Sequence, residues 1–193
     1  MKLLIDLFLL RETPYRYAAE NPRSPLWMPF LLIGTGAVYG ILVAIFQRIL
    51  GGNLQGFAVQ DISNPILMGG NILSGIFVAL IFHGGVTMVI WLMARGVGGA
   101  GRLAVLYRST AFILPLAVPA FPYMAAHSVP AESQASLILP LGWSYPLLAA
   151  IALVMVIVGL FRLFRVTQKL STFRCGFAVF LVFFFSLAVY FLQ

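Results

Sequence analysis

The sequence has 193 residues, of which 62% are apolar and only 9% charged, with a mean hydropathy of +1.02. A water-soluble globule of this length needs more polar surface than that, so the composition excludes a soluble domain and points to lipid. The net charge of +7 would suit a nucleic-acid partner if the basic residues formed one patch, but they lie in short runs between apolar stretches, and a lone cysteine, Cys175, excludes a disulfide framework or a thiolate cluster.

The opening segment, Met1 to Leu10, carries Asp6 and leads into Arg11 and Glu12. A cleaved signal peptide has an uncharged apolar run and a small-residue cleavage site, so the N-terminus is expected to be retained. Leu3 to Leu10 is too short to cross ~30 Å of hydrocarbon. It reads as a short N-terminal interfacial helix with Lys2 and Arg11 at the headgroups, or as an apolar tail packed on the helices. Residues 1–24 then form an N-terminal segment and residues 25–193 the membrane domain.

The first span is expected from about Pro29 to Ile49. Trp27 suits an aromatic belt, and Pro29 falls early in the helix, where a missing N–H costs little. A glycine-rich connection (Gly51, Gly52, Gly56) leads to a second span from about Ile66 to Ala94, long enough to tilt or to extend past the membrane. Arg95, the glycines at 96, 98, 99 and 101, and Arg102 make a tight basic turn before a third span, about Leu103 to Met124. Pro115, Pro119 and Pro122 remove helix hydrogen bonds in its second half, so that half is expected to be bent or irregular and buried among other helices. A polar stretch follows from Ala126 to Ser136, and Leu137 to Leu141 either extends the fourth span, about Pro146 to Phe164, or lies at the interface. The fifth span covers about Cys175 to Leu192.

Eleven of the twelve lysines and arginines fall before the first span, around the second turn, or between the last two spans; Arg48 alone lies on the opposite side. The positive-inside rule therefore gives an all-α integral membrane protein of five transmembrane helices, with the N-terminus cytoplasmic and the C-terminus outside.

The run Trp91-Leu92-Met93-Ala94-Arg95-Gly96-Val97-Gly98-Gly99-Ala100-Gly101, then Tyr107 and Pro115, resembles the Yip1-domain family. In that family an apolar second helix ends in a Gly-Gly-x-Gly turn, followed by an aromatic residue and a mid-membrane proline. The stretches Gly159 to Arg162 and Leu170 to Arg174 are similar to its fourth-to-fifth helix linker. The resemblance covers roughly Pro25 to the end and implies five spans with a cytoplasmic N-terminus. The Asp-Leu-Tyr-Gly-Pro signature of eukaryotic members is absent; Asp61-Ile62-Ser63-Asn64-Pro65 is the nearest match and precedes the second span instead of the first. Ala111 and Phe112 stand where a Gly-Tyr pair would be. Binding of Rab-type GTPases is therefore not carried over, and the resemblance implies a compact prokaryotic member of the inner membrane.

Polar groups inside lipid are functional candidates because leaving them unsatisfied is costly. The second span holds Asn71, Ser74, His83 and Thr87. His83 lies ~18 Å along the helix from Arg95. It could hold a haem, a chlorophyll or a metal, or relay protons, against the plainer reading of a neutral histidine bonded to a neighbouring helix. Ser74 and His83 are nine residues apart and so on opposite helix faces, which argues against a serine protease. No carboxylate falls within a span, and the Gly98-Gly99-x-Gly101 run lacks the strand and the Lys-Ser/Thr of a phosphate loop. No catalytic residue, metal site or required cofactor is expected. Gly36 and Gly40 form a small-xxx-small pattern that lets a helix approach closely, within the protein or in a dimer. Phe183, Phe184 and Phe185 suggest a last span exposing bulky groups around most of its circumference.

The leading functional expectation is a non-enzymatic Yip1-like protein acting through protein or lipid contacts, as a membrane organiser or a subunit of a larger membrane complex. Its partners would be membrane lipids and other integral membrane proteins, in a hetero-complex or homo-oligomer, with no nucleic acid. Two other readings are a small-solute or ion permease, with the proline-broken third span and the polar face of the second forming a path, and a cofactor-binding electron-transfer subunit using His83.

Overall fold

The computed structural model describes residues 2–51, 53–54, 57–128 and 143–191. It is all-α and 84% helical, with five helices long and apolar enough to cross a membrane. These are Ser24–Leu50, Asn64–Gly96, Leu103–His127, Ser144–Thr167 and Thr172–Val189. Residues 129–136 of the polar stretch, the Leu137 to Leu141 segment and the end of the last span at Leu192 lie outside the described residues.

Two short helices come first, α1 (Lys2–Phe8) and α2 (Thr13–Glu20). α1 ends where Leu10 takes a left-handed φ of 54°, a conformation that costs a side-chain-bearing residue roughly 1–2 kcal/mol. α2 was not expected from the sequence. Its signals are Thr13-Pro14 at the start, where proline fits the first turn, and Asn21-Pro22 at the end; Pro14, Tyr15 and Ala18 are its buried face.

The long helices are α3 (Trp27–Leu50), entered through a 3-10 turn at Ser24–Leu26, and α4 (Asn64–Gly96). Between them a two-residue antiparallel hairpin pairs Asn53 with Ala58 and Leu54 with Phe57, too short for any sequence period to reveal. The third span is broken into three pieces: α5 (Leu103–Thr110), a 3-10 stretch (Leu114–Ala120) and α6 (Phe121–His127). The break begins at Ala111, four residues before Pro115, because a proline clashes with the carbonyl one turn earlier. α7 (Ser144–Thr167) and α8 (Thr172–Phe191) complete the order.

Contacts divide the chain into two compact units, whose boundaries fall inside helices. The first unit comprises Met1–Leu31, Ile81–Leu116 and Met155–Gln193. Its core is built on Leu7, Tyr15, Ile90, Leu106, Phe112, Leu163 and Phe164. The second unit comprises Leu32–Leu80 and Ala117–Val154. It has two small clusters, Val43 and Phe46 with Ala125 and Ala126, and Ala44 with Val59 and Leu67.

α8 is exposed around most of its circumference, with Phe184 and Phe185 among the exposed side chains, and buries one narrow stripe. Cys175, Ala178, Val179 and Val182 recur at helical spacing and are buried, so this helix has a packed face of small side chains. The opposite face carries Phe177, Phe180 and Phe184, stacked with centroids 6.3 and 5.9 Å apart and exposed.

Candidate functional site

In the first unit, α4 ends in a glycine turn whose bonds follow from its sequence. Gly98 adopts φ +90°, open to glycine, and the Gly98 and Gly99 amides donate to Arg95 O (3.0 Å) and Ala94 O (2.8 Å), closing a Schellman-type cap. A side chain at Gly99 or Gly101 would collide with the amide of Gln168, at the end of α7. That closeness lets Gln168 Oε1 accept from the Gly101 amide at 3.0 Å while the Gln168 carbonyl accepts from Ala100 at 3.4 Å. Arg174, at the start of α8, reaches Gly98, and Arg95 lies over the Trp91 ring at 5.6 Å while donating to Gly99 O. The 95–102 turn and the 168–171 connection are thus joined by backbone and side-chain hydrogen bonds.

The N-terminal segment adds the acid. Glu12 faces Arg16 at 3.3 Å, Arg162 at 3.5 Å and Arg165 at 3.8 Å. Asp6, buried in α1, takes Arg11 at 2.8 Å. Beneath Glu12 the Tyr15 ring is fully buried, and Gly159 makes room for its hydroxyl, since a Cβ there would lie 2.9 Å from that oxygen. Burial pushes the Tyr15 phenol well above its ordinary pKa, with the Arg162 charge opposing that shift.

His83 is buried, its ring tilted against that of Tyr107 with centroids 4.5 Å apart, and its Nε2 has no hydrogen-bond partner among the described residues. One turn further, Thr87 Oγ1 and Thr110 Oγ1 share a bond of 2.7 Å, and Thr110 also donates to Tyr107 O. His83, Thr87, Tyr107 and Thr110 therefore form one polar seam between α4 and α5. A groove of about 660 Å³ runs beside it, lined by Gly84, Thr87 and Met88 from α4 and by Leu103, Ala104, Tyr107 and Arg108 from α5.

In the second unit Gly36 and Gly40 of α3 face α4. A Cβ on Gly36 would lie 2.6 Å from Gly75 O, and one on Gly40 would strike Asn71 and Ile72 backbone. The Asn71 side chain donates to Gln47 Oε1 and Leu67 O, both at 2.9 Å. Ser74 is exposed, and Arg48 donates to the carbonyls of Val59 (2.9 Å) and Ile62 (2.6 Å), tying the end of α3 to the following connection.

No family model, curated protein or solved structure matches this chain.

Of the residues singled out from the sequence, Gly99 and Gly101 are gathered against Gln168, Gly98 faces Arg174, and Pro115 is buried in the first unit. His83 belongs to the first unit, whereas Asn71 and Ser74 belong to the second. Among the described residues no three His, Cys, Asp or Glu side chains come together as a metal site. Gln168 and Glu12 escaped the sequence reading because a linker glutamine and a single acid near basic residues look like ordinary solvated groups; only their tertiary partners distinguish them.

Proposed function

We propose that this chain is a non-enzymatic, Yip1-like multi-pass protein of a prokaryotic-type inner membrane. It acts through contacts with lipids and other integral membrane proteins, as a membrane organiser or as a subunit of a larger complex. In this reading the N-terminus is cytoplasmic, the C-terminus is outside, and α1 lies at the interface.

The observation that carries the reading is the meeting of three basic segments. Glu12 draws the N-terminal segment to Arg162 and Arg165, and the 95–102 turn is bonded to Gln168. These are the segments whose charges the positive-inside rule assigns to one side. Their mutual contacts agree with that assignment, which the resemblance also implies. The outward phenylalanine row of α8 offers an apolar surface for lipid or a partner helix.

The test is purification of tagged protein in nanodiscs at native expression, with mass spectrometry of stoichiometric partners and a parallel flux assay in liposomes. A reproducible membrane-protein partner without solute flux is the expected result. Selective flux above that of empty liposomes would overturn the reading in favour of a permease.

A further inference from the structure

The groove between α4 and α5 has a composition that selects its occupant. Gly84 forms part of its floor, with nothing within 4 Å of a Cβ built there, so the space is left open by the absence of a side chain. Met88, Leu103 and Tyr107 supply apolar wall, and the Thr87 hydroxyl is already engaged by Thr110. Arg108 is the one charged residue among the lining residues; the groove surface itself is apolar, so the guanidinium lies beside it and not in its wall. Its Nε donates to Ala104 O at 3.3 Å and one terminal nitrogen reaches Ser24 Oγ at 3.5 Å, both long bonds to neutral oxygens. Among the described residues no carboxylate pairs with it.

An apolar trough beside an unneutralised guanidinium is complementary to an anionic amphiphile. A free anion would leave the Met88, Leu103 and Tyr107 surface uncovered, and a neutral hydrocarbon would leave the guanidinium uncompensated. The volume lies within the range of small-ligand clefts, and both helices belong to membrane-crossing segments, where the surrounding amphiphile is phospholipid. Arg108 runs back along α5 toward the Arg102 end, as its bond to Ala104 requires.

We infer that this groove is a binding site for one anionic phospholipid, with an acyl chain against Gly84, Met88 and Tyr107 and the phosphate on Arg108. The inference deepens the proposed function by naming a lipid class and its place, and it rests on that reading only in requiring that the protein act within a bilayer.

The test is lipid retention. The full chain and three variants, Arg108→Gln, Arg108→Lys and Gly84→Leu, are reconstituted in equimolar phosphatidylglycerol and phosphatidylcholine, extracted in mild detergent, and the bound lipids quantified by native mass spectrometry. The full chain should retain the anionic lipid in preference. R108Q should lower that preference about five-fold, the factor for one basic charge near the membrane surface. R108K should keep most of it. G84L, whose side chain enters empty space rather than packed neighbours, should lower lipid retention while leaving helicity and monodispersity unchanged.

Equal retention of the two lipids by the full chain would overturn the inference, as would an unaltered preference in R108Q or unaltered retention in G84L. Displacement of the lipid by free inorganic phosphate would also overturn it, by showing that the apolar trough is unused. None of these outcomes depends on finding a protein partner or on solute flux, so this inference and the proposed function fail separately.

Discussion

Gly40 and Gly75 show how single missing side chains govern helix approach. On α4, Gly75 meets the Gly36 and Gly40 backbone, whereas Gly69 and Gly70 have nothing within 4 Å of a built Cβ. Gly40→Ala should therefore destabilise the protein by about 1–3 kcal/mol, the range for overpacking a filled contact, while Gly69→Ala should be neutral or slightly stabilising. Thermal unfolding of the two variants in the same detergent checks the difference. Tyr15 gives a second residue-scale expectation. Its phenol is raised by burial, so the protonated form is favoured in the folded state; that contribution is complete below the ordinary phenol pKa of about 10 and is lost as pH rises above it. The fall in unfolding temperature between pH 9 and pH 11 should be smaller in Tyr15→Phe than in the unaltered chain. An equal fall would contradict the buried-phenol account. The sequence pattern made Gly36 and Gly40 legible as a packing motif, because small residues four apart line one helix face. It could not show which backbone they meet, since Asn71 and Gly75 are distant in the chain.

α2 is held by ion pairs and by a small buried face. Arg162 and Arg165 are 40% and 48% exposed, so each pair with Glu12 contributes at most ~1 kcal/mol and weakens with salt. Glu12→Gln should leave overall unfolding nearly unchanged while raising hydrogen exchange across Thr13–Glu20, with added salt producing a similar rise in the unaltered chain. Unchanged exchange would show that Tyr15 and Ala18 suffice to hold the helix. The five long apolar stretches were readable because each carries a composition that water does not tolerate. The prolines marked the irregular third span because a missing N–H and a ring clash act locally. α2 and the Asn53–Ala58 hairpin were not readable: eight residues of mixed polarity and strands of two residues carry too little periodicity. The broad exposure of α8 was legible in its phenylalanines, whereas the position of its narrow buried stripe depends on which neighbours Cys175 and Ala178 meet.

For the whole molecule, the length of α4 bears on how the chain sits in lipid. Its 33 residues correspond to ~50 Å of helix against a hydrocarbon thickness of ~30 Å, so it must tilt or emerge at an end. The proposed orientation puts the joined basic segments in the cytoplasm, where Glu12, Gln168 and the glycine turn form a polar rim. The arginines there were legible as topology from spacing alone. Their organisation around Glu12 and Gln168 was not, because it arises from contacts between segments up to 153 residues apart, as in Glu12 and Arg165.

The most direct test of this account is cysteine accessibility in intact cells. With Cys175 replaced by serine, single cysteines are placed at two exposed positions, Glu20 and Ser128, and treated with a membrane-impermeant maleimide. Labelling at position 128, with position 20 reached only after the membrane is permeabilised, is the predicted result. Labelling of position 20 in intact cells, with position 128 protected, would contradict the orientation and with it the placement of the basic rim on the cytoplasmic face.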